Sequence, residues 1–564
     1  MILGGIFMRK TLCKILAVLI TGSIMITGCS GKSQDSVKEE QKQEVKKGGV
    51  VKQALSVAPE GVFMPAFFTF NYDGIINTMI YEGLLSLNEN LDVEPSLAES
   101  YELSEDKKTI TFKIREGVKW HDGTAFTADD VKFTFDLACN PKYNGPYTMY
   151  VENIKGYDDF KSGKTQELEG VKKIDDKTVE ITTNEVYSSG LINFGYMIKI
   201  VPKHIWDNGD VEAIQKDTDS IRNPIGTGAF KLENFAPDQS VELVANDDYW
   251  NGRPNIDKYI FQLVSAETVD AQLANNEIDI TGVGDLDEEE AENYKKQGFT
   301  LEEITNNAYQ YIGLNLRKPE FSDKKVRQAF AHAINRESIV KDVLNGHGEV
   351  ANNPFPSNNW AHPSGLKEYK YDTKKAIELL KESGWEYKEE ENKMYYDGKP
   401  FKFTLKYTSG DESKNKYALM VQQNFKDIGI ELELKPMEFA TMTSDVKKGD
   451  FDAFVMGTAN FYDGDLSANY LSTSTPPNGY NYAGFKSEKV DELIKESSKH
   501  MTKDERKPIL NEIALELNEE LPVIYVYHWN SLMVINPKIK NFKNAQPTYY
   551  QYVKDWYIED EDTK

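Results

Sequence analysis

The chain has 564 residues, a formal net charge of −25 and three cysteines, only one of them beyond residue 29. Its length exceeds what one hydrophobic core supports, so two or three domains are expected. The acidic balance argues against nucleic acid and against adhesion to anionic lipid, and Cys139 alone excludes an intrachain disulfide or a cysteine-based metal site in the body.

The N-terminus is read first. Residues 1–28 carry Arg9, Lys10 and Lys14 and no acidic residue, and 15–26 is an apolar run broken only by Thr21, Gly22 and Ser23. A basic stub before a short apolar stretch is the pattern of an export signal. A run of roughly a dozen residues is too short to span a bilayer, which takes about 20. Met1 and Met8 are both usable starts. Ile26-Thr27-Gly28-Cys29-Ser30 then resembles the lipobox of bacterial lipoproteins, with Ile26 where leucine is usual. The resemblance implies cleavage before Cys29 and a diacylglycerol on its thiol. An ordinary cleaved signal that happens to hold a cysteine is the alternative. Residues 30–47 are mostly Ser, Gly, Gln, Lys and Glu, with Val37 and Val45 the only large apolar side chains. Such a segment buries too little surface to offset chain entropy, so 29–47 is expected to be a flexible tether.

Further along, Thr109–Ile114, 178–183 and Ser240–Ala245 alternate with period two and predict strands. Ser322 is placed to cap a helix whose Val326, Ala329, Phe330, Ala333 and Ile334 share a face. Ala376, Leu379 and Leu380 repeat that spacing before Gly384. A strand is expected at 401–407, then a helix with Ala418, Leu419, Gln422 and Phe425 before Gly429, then a strand at 430–435. Val490, Leu493 and Ile494 follow Ser487, and Ile509, Leu510, Ile513 and Leu517 precede Pro522, with a last strand at 523–527. The mixture predicts α/β or α+β lobes.

Several familiar motifs fail on inspection. Ser162-Gly163-Lys164-Thr165 lacks the first glycine of a phosphate-binding loop, since position 158 is Asp158. Asp463-Gly464-Asp465 opens like a calcium loop, but Ala468 and Ser474 stand where Gly and Glu are needed. His121 beside Asp122 has no partner spacing for a metal, and no Gly-x-Ser-x-Gly elbow occurs. No catalytic residue, metal or cofactor is expected.

Longer motifs carry more weight. Tyr81-Glu82-Gly83-Leu84-Leu85 and Pro95-Ser96-Leu97-Ala98-Glu99-Ser100 come first. Arg115-Glu116-Gly117-Val118-Lys119-Trp120-His121-Asp122-Gly123-Thr124 runs into Phe126-Thr127-Ala128-Asp129-Asp130-Val131. Gly226-Thr227-Gly228-Ala229-Phe230-Lys231-Leu232 and Asn246-Asp247-Asp248-Tyr249-Trp250 follow, then Val326-Arg327-Gln328-Ala329 with Ala333-Ile334-Asn335-Arg336. In this order they resemble the extracellular solute-binding proteins of the oligopeptide, dipeptide and nickel type, which feed ABC importers.

The resemblance implies an α/β, two-lobed periplasmic-binding-protein-like fold of the large type II class, with an extra domain and lobes joined by two crossing strands. It places lobe I at 48–86, 200–309 and 527–564, the accessory domain at 87–199 and lobe II at 310–526. Three regions are expected at the ligand. The loop 58–72 carries Phe63, Phe67, Phe68, Phe70 and Tyr72, aromatics that look exposed in a stretch with Pro and Gly. The crossing strands carry Tyr309, Tyr311 and Trp529. The segment 457–465 carries Thr458, Tyr462, Asp463 and Asp465, with Thr458 where relatives have Trp and Gly464 where they have Pro. In peptide binders an aspartate of this region meets the ligand's α-ammonium, a role open to Asp463 or Asp465; the alternative is that they cap a turn. Asn478, Asn481 and Tyr482 fall at the spacing of a second cleft loop.

The functional expectation is a monomeric, lipid-anchored receptor on the outer face of the cell membrane (or in a periplasm). It captures oligopeptides, held through their backbone as an added strand, and delivers them to ABC permease subunits. A non-peptide solute such as an oligosaccharide or nickel complex, or a peptide-sensing role, fits the same fold. An extracellular hydrolase is the alternative of a different class, and it lacks a visible nucleophile, base and orienter.

Overall fold

The strands foreseen in the sequence form with close bounds: Thr109–Ile114, Thr178–Thr182 and Ser240–Ala245 from period-two alternation, and Lys402–Thr408 and Glu431–Met437 later in the chain. They belong to a computed structural model that describes residues 47–559 apart from 208, 209, 285, 411 and 546. The expected signal 1–28, Cys29 and all but the last residue of the tether lie outside the described residues.

A long sheet organises the molecule. In spatial order its strands are Glu431–Met437, Lys402–Thr408, Ala453–Ala459, Ala308–Leu314, Ile524–Ile535, Ile280–Val283, Val50–Leu55, Lys258–Leu263, Ser240–Ala245 and Phe230–Ala236. Parallel and antiparallel pairs are mixed along it: Ala453–Ala459, Ala308–Leu314, Ile524–Ile535 and Ile280–Val283 pair antiparallel in turn, and Val50–Leu55 lies parallel to both its neighbours. A separate antiparallel sheet joins Ala98–Leu103, Thr109–Ile114, Thr178–Thr182 and Val171–Asp175.

Ile524–Ile535 links the two lobes. Its first part pairs with Ala308–Leu314, as Gln310 with Tyr527 and Ile312 with Ile524. Its last part pairs with Thr300–Thr305, from Thr305 with Asn530 to Thr300 with Ile535. The chain therefore crosses twice, at Asn306–Asn307 and at 527–530. Asparagines pin the first crossing. Asn306 donates its side-chain amide to the Trp529 carbonyl at 3.1 Å and to Ser531 Oγ at 2.9 Å. Asn307 Oδ1 accepts from Asn359 at 2.9 Å and Asn460 at 3.2 Å.

One apolar core runs from Val51 through Phe112, Trp120 and Phe135 to Tyr259 and Trp556; a second is built from Tyr309 to Val526. The long motifs meet at the first core. Glu82 accepts from Tyr249 Oη at 2.7 Å and Trp250 Nε1 at 3.0 Å. His121 accepts from the Gly226 N–H and donates to the Gly228 carbonyl, at 3.2 and 3.0 Å. Burial drives the His121 pKa down to about 4, so the ring is neutral. Gly226 has no room for a side chain: a Cβ there would lie 1.8 Å from the Ile80 carbonyl oxygen. Thr127 and Asp130 form a capping box on the helix Ala128–Cys139.

Helices of the second lobe follow their signals, with one shift. Asp323, not Ser322, caps Lys324–Ala333, because Ser322 ends the preceding helix Pro319–Ser322. Asp372 and Ser487 cap Thr373–Glu382 and Glu488–Ser497, and Thr502 opens Lys503–Glu520 with a capping box. Gly384 and Gly429 take positive φ just past their helices. Among the described residues no helix is long and apolar enough to cross a membrane.

Candidate functional site

Beside the crossings, the strand Ala453–Ala459 is paired along its whole length on one edge only. Its inner edge pairs with Ala308–Leu314 throughout, from Ala308 with Ala459 to Leu314 with Ala453. Its outer edge meets Lys402–Thr408 only at Ala453 and Phe454. Beyond Phe454 no strand among the described residues covers it. Alternation fixes which groups face outward. The Asn460 N–H donates to the Asn307 carbonyl at 2.8 Å, on the inner side. Backbone groups of successive residues point to opposite neighbours, so Thr458 and Met456 also face inward, and Val455, Gly457 and Ala459 face the free edge. Gly457 and Ala459 are exposed.

The face of this edge is shaped by the crossing strands. A Cβ on Gly457 would stand 2.9 Å from Gln310 Oε1 and 3.4 Å from Trp529 Cη2. Gln310 and Trp529 also line a recess of about 160 Å³ with Gly284, Leu344, His347, Tyr527 and Asn530. Past the strand, the chain turns through 460–465 into a cavity of about 470 Å³. One wall comes from Tyr150, Tyr187, Ser189 and Asn193, the other from Phe461, Asp463, Asp465 and Tyr480. Asn193 lies on a π-helical stretch, Leu191–Met197, that also carries Tyr196. Tyr196 packs edge-on against Tyr462, ring centres 6.1 Å apart. Lys503 donates to Asp92 at 2.8 Å and Lys107 to Glu505 at 3.1 Å, so the two walls are drawn together.

Electrostatics at the turn are largely settled internally. Asp463 and Arg506 are each about 5 % exposed and 3.6 Å apart. Asp463 Oδ2 also accepts from Ser189 Oγ, and its Oδ1 accepts from the Asp465 N–H at 3.0 Å. Asp465 accepts from the Ser467 N–H and hydroxyl at 2.9 and 2.8 Å. Burial and the neighbouring Asp463 raise its pKa. Burial pushes Tyr150 up to about 12 and raises Tyr187 and Tyr462, so these phenols stay protonated.

The residues expected at the ligand divide into several groups. Trp529 lines the recess, Thr458 lies on the half-free strand, and Asp463 and Asp465 line the cavity, as does exposed Asn478. Tyr462 sits at the Tyr196 contact. Phe67, Phe68, Phe70 and Tyr72 are half-buried around the start of Asn71–Ile80: Phe67 lies 5.4 Å from Tyr143, and Tyr72 bonds Ser56 at 3.1 Å. They line neither recess nor cavity.

Other expectations are corrected. Phe63 is fully buried against Phe235, not exposed. Tyr309 and Tyr311 belong to the second core; the Tyr309 hydroxyl bonds that of Tyr470 at 2.6 Å. On that strand it is Gln310, on the opposite face, that meets the recess. Asn481 is 2 % exposed and spends its amide on the Leu471 and Phe485 carbonyls and the Phe485 N–H, so it closes its own loop. Tyr482 packs against Phe454. Asp463 is tied to Arg506 and Ser189 rather than left open to a ligand.

Sequence reasoning missed Gln310, Ser189, Tyr187 and Arg506. The period-two signal flags Gln310 once Tyr309 and Tyr311 are read as core. Nothing local marks a buried arginine on an otherwise charged helix.

Comparison with known proteins matches this architecture. Residues 92–480 match the family of bacterial extracellular solute-binding proteins, family 5 (middle). The oligopeptide-binding protein AppA of Bacillus subtilis is 30 % identical over 98 % of this chain and 99 % of its own. The structure of that protein with a nonapeptide superposes with a TM-score of 0.71, at 29 % identity, covering 92 % of this chain and 100 % of the other. The dipeptide-binding protein of Escherichia coli is 28 % identical over 86 % of this chain and 90 % of its own. NikZ of Campylobacter jejuni, solved with Ni(L-His), superposes with a TM-score of 0.71 at 25 % identity, covering 90 % and 99 %. The chain is therefore a member of the family 5 bacterial extracellular solute-binding proteins.

Proposed function

We propose that this protein is the oligopeptide receptor of an ABC importer, a binding protein without catalytic chemistry. The observation that carries this reading is the free outer edge at residues 455–459. A row of outward N–H and C=O groups recognises what every peptide offers, its backbone, and so tolerates varied side chains. The recess walled by Gln310 and Trp529 adds an amphipathic surface beside that edge. The likeness to AppA supports a peptide rather than a metal complex as ligand.

In this reading lobe I (48–86, 200–309 and 527–564), the accessory domain (87–199) and lobe II (310–526) close on the ligand by hinging at the two crossings. A lipid on Cys29 and the tether 29–47 hold the receptor on the outer face of the membrane, within reach of its permease, at high effective concentration. It acts as a monomer and needs no cofactor.

Native mass spectrometry of ligand that co-purifies identifies the cargo. A ligand so identified is then remade with single ester linkages in place of amides. The expected loss is about tenfold at each linkage that bonds the edge. Co-purification of a sugar or metal complex, with no peptide bound, sinks the peptide assignment. For the anchor, Cys29→Ala is expected to release a competent binding protein into the medium; a variant that stays on the membrane sinks that part.

A further inference from the structure

His347 stands where the second core meets the crossings, and both of its ring nitrogens face oxygen. It follows the helix Arg336–Val343, whose Val343 packs into that core with Leu344. It precedes the short strand Gly348–Val350, which pairs with residues 527–529. Its carbonyl accepts from the Asn530 N–H at 3.2 Å. Its ring reaches away from the core. Nδ1 lies 3.2 Å from a carboxylate oxygen of Glu303, on Thr300–Thr305, and Nε2 lies 3.1 Å from the Leu286 carbonyl oxygen. Leu286 belongs to a separate apolar cluster with Tyr294, Leu532 and Val534, and Leu301 packs against it. The ring therefore joins the second core to segments on the far side of both crossings.

A neutral imidazole has one N–H and one lone pair, and only the imidazolium donates from both nitrogens. Neither a carboxylate nor a carbonyl can donate. With the ring neutral, one nitrogen turns a lone pair toward an oxygen and one bond is missing. With the ring protonated both bonds form, and the one to Glu303 is charge-assisted. All seven histidines lie among the described residues. His347 alone among them has an oxygen acceptor within bonding distance of each nitrogen. At His121 one nitrogen faces an N–H and the other a carbonyl, the pattern of a neutral ring. His204, His332, His362 and His528 each hold a single oxygen. His500 bonds Glu496 at 3.2 Å, with Glu505 farther off at 3.9 Å.

The surrounding titratable groups are otherwise engaged. Asp287, next to Leu286, accepts from the Glu290 N–H as the cap of Glu288–Lys296. Glu349, two residues on, is bonded by Ser357. Lys341 and Asp342 on the preceding helix are exposed, and Tyr527 shares the recess lining with the ring. Glu303 also accepts from the Asn530 side-chain amide, so the carboxylate is held toward the crossing. The His347 side chain is 25 % exposed, so protons reach it from solvent.

We infer that His347 is a proton-sensitive latch across the hinge: the imidazolium holds the second lobe docked on the Leu286 and Glu303 segments, and loss of the proton loosens it. The latch is independent of what the ligand is. By linkage, docking that is tighter with the proton bound strengthens as pH falls and weakens as pH rises, within the range of about 5–8 where imidazoles change charge.

Hydrogen exchange of the ligand-free protein tests the latch. The Asn530 amide, bonded to the His347 carbonyl, reports docking in peptic fragments that span it, at pH 6.0 and 8.0, each rate corrected for intrinsic exchange. Protection is expected to be about threefold higher at the lower pH. His347→Gln, which cannot gain a proton, is expected to give equal protection at both pH values within about 1.5-fold, and Glu303→Gln to shrink the ratio below about twofold. His121 and His528, held near 4 by burial, stay neutral throughout this window, and the His347→Gln comparison removes the contribution of the other histidines. A flat profile in the wild type, or the same ratio in either variant, overturns the inference. Small-angle scattering reads the hinge itself. The radius of gyration of the ligand-free wild type is expected to be smaller at pH 6.0 than at 8.0, and that of His347→Gln to be the same at both. Protection that depends on pH with no change in the wild-type radius overturns the latch as a hinge device.

Discussion

Residues 455–459 and 460–465 are consecutive in the chain, and they treat their polar groups in opposite ways. The strand presents the backbone of Val455, Gly457 and Ala459 to an edge that no described strand covers. The turn uses its side chains on itself and its neighbours: Asn460 on Asn307 and Pro354, Asp463 on Ser189, Arg506 and Asp465, Asp465 on Ser467. The difference teaches where generality and rigidity are held. In the proposed reading, open backbone groups meet what all peptides share. Satisfied side chains fix the wall of the cavity beside that edge.

The largest effect is expected where the turn is broken. Asp463→Ala leaves Arg506 buried without its counter-charge and is expected to cost about 3–5 kcal/mol of stability. Denaturant unfolding checks it, and a loss below about 1 kcal/mol shows that the turn is not held by that pair.

Next come two adjacent proline substitutions that separate inner from outer backbone. Thr458→Pro removes an N–H that faces Ala308–Leu314 and is expected to cost roughly 1–3 kcal/mol of stability. Ala459→Pro removes an outward N–H. It is expected to weaken peptide binding about tenfold with a stability change under about 1 kcal/mol. Calorimetry on both variants reads the two quantities. The reverse pattern breaks the comparison, because it makes 458 the ligand-facing residue.

Acid titration gives a smaller, diffuse effect. His528 lies under the same strands and donates Nδ1–H to the Ala308 carbonyl at 2.8 Å. Burial lowers its pKa to about 4 from the ordinary 6.5, as it does for His121. The unfolded chain binds these protons first as pH falls, so their stabilising contribution is complete above about 6.5 and is lost progressively toward 4. His528→Asn is expected to flatten the stability profile in that window. An unchanged slope assigns the acid sensitivity elsewhere.

The smallest effect belongs to the partly exposed contacts between the walls. Lys503→Ala breaks the bond to Asp92 and is expected to cost under about 1 kcal/mol. It should speed ligand release more than it slows capture, as read by stopped-flow fluorescence of Trp529.

Much of the fold was legible before any coordinates. Alternating strands such as Thr109–Ile114 and helices ended by Gly384 and Gly429 follow from local physics: side-chain period, capping oxygens and a glycine able to take positive φ. The site was less legible. Tyr309 and Tyr311 looked like ligand contacts because aromatics on a hinge strand suit a cleft. Yet both rings point to the face of their strand that packs into the second core, where a large side chain is as readily core. Asp463 showed the right residue type in the right segment, but its partners Ser189 and Arg506 lie 274 and 43 positions away along the chain.

The sequence by itself determined the class of the protein, the order of its elements and the acidic turn after the edge strand, because these rest on patterns within a few residues and on long motifs in order. Only the tertiary structure decided that the edge at 455–459 stays open while the carboxylate beside it is closed by an arginine. Pairing and charge compensation are settled by distant segments, and no local pattern records which neighbour the fold will bring.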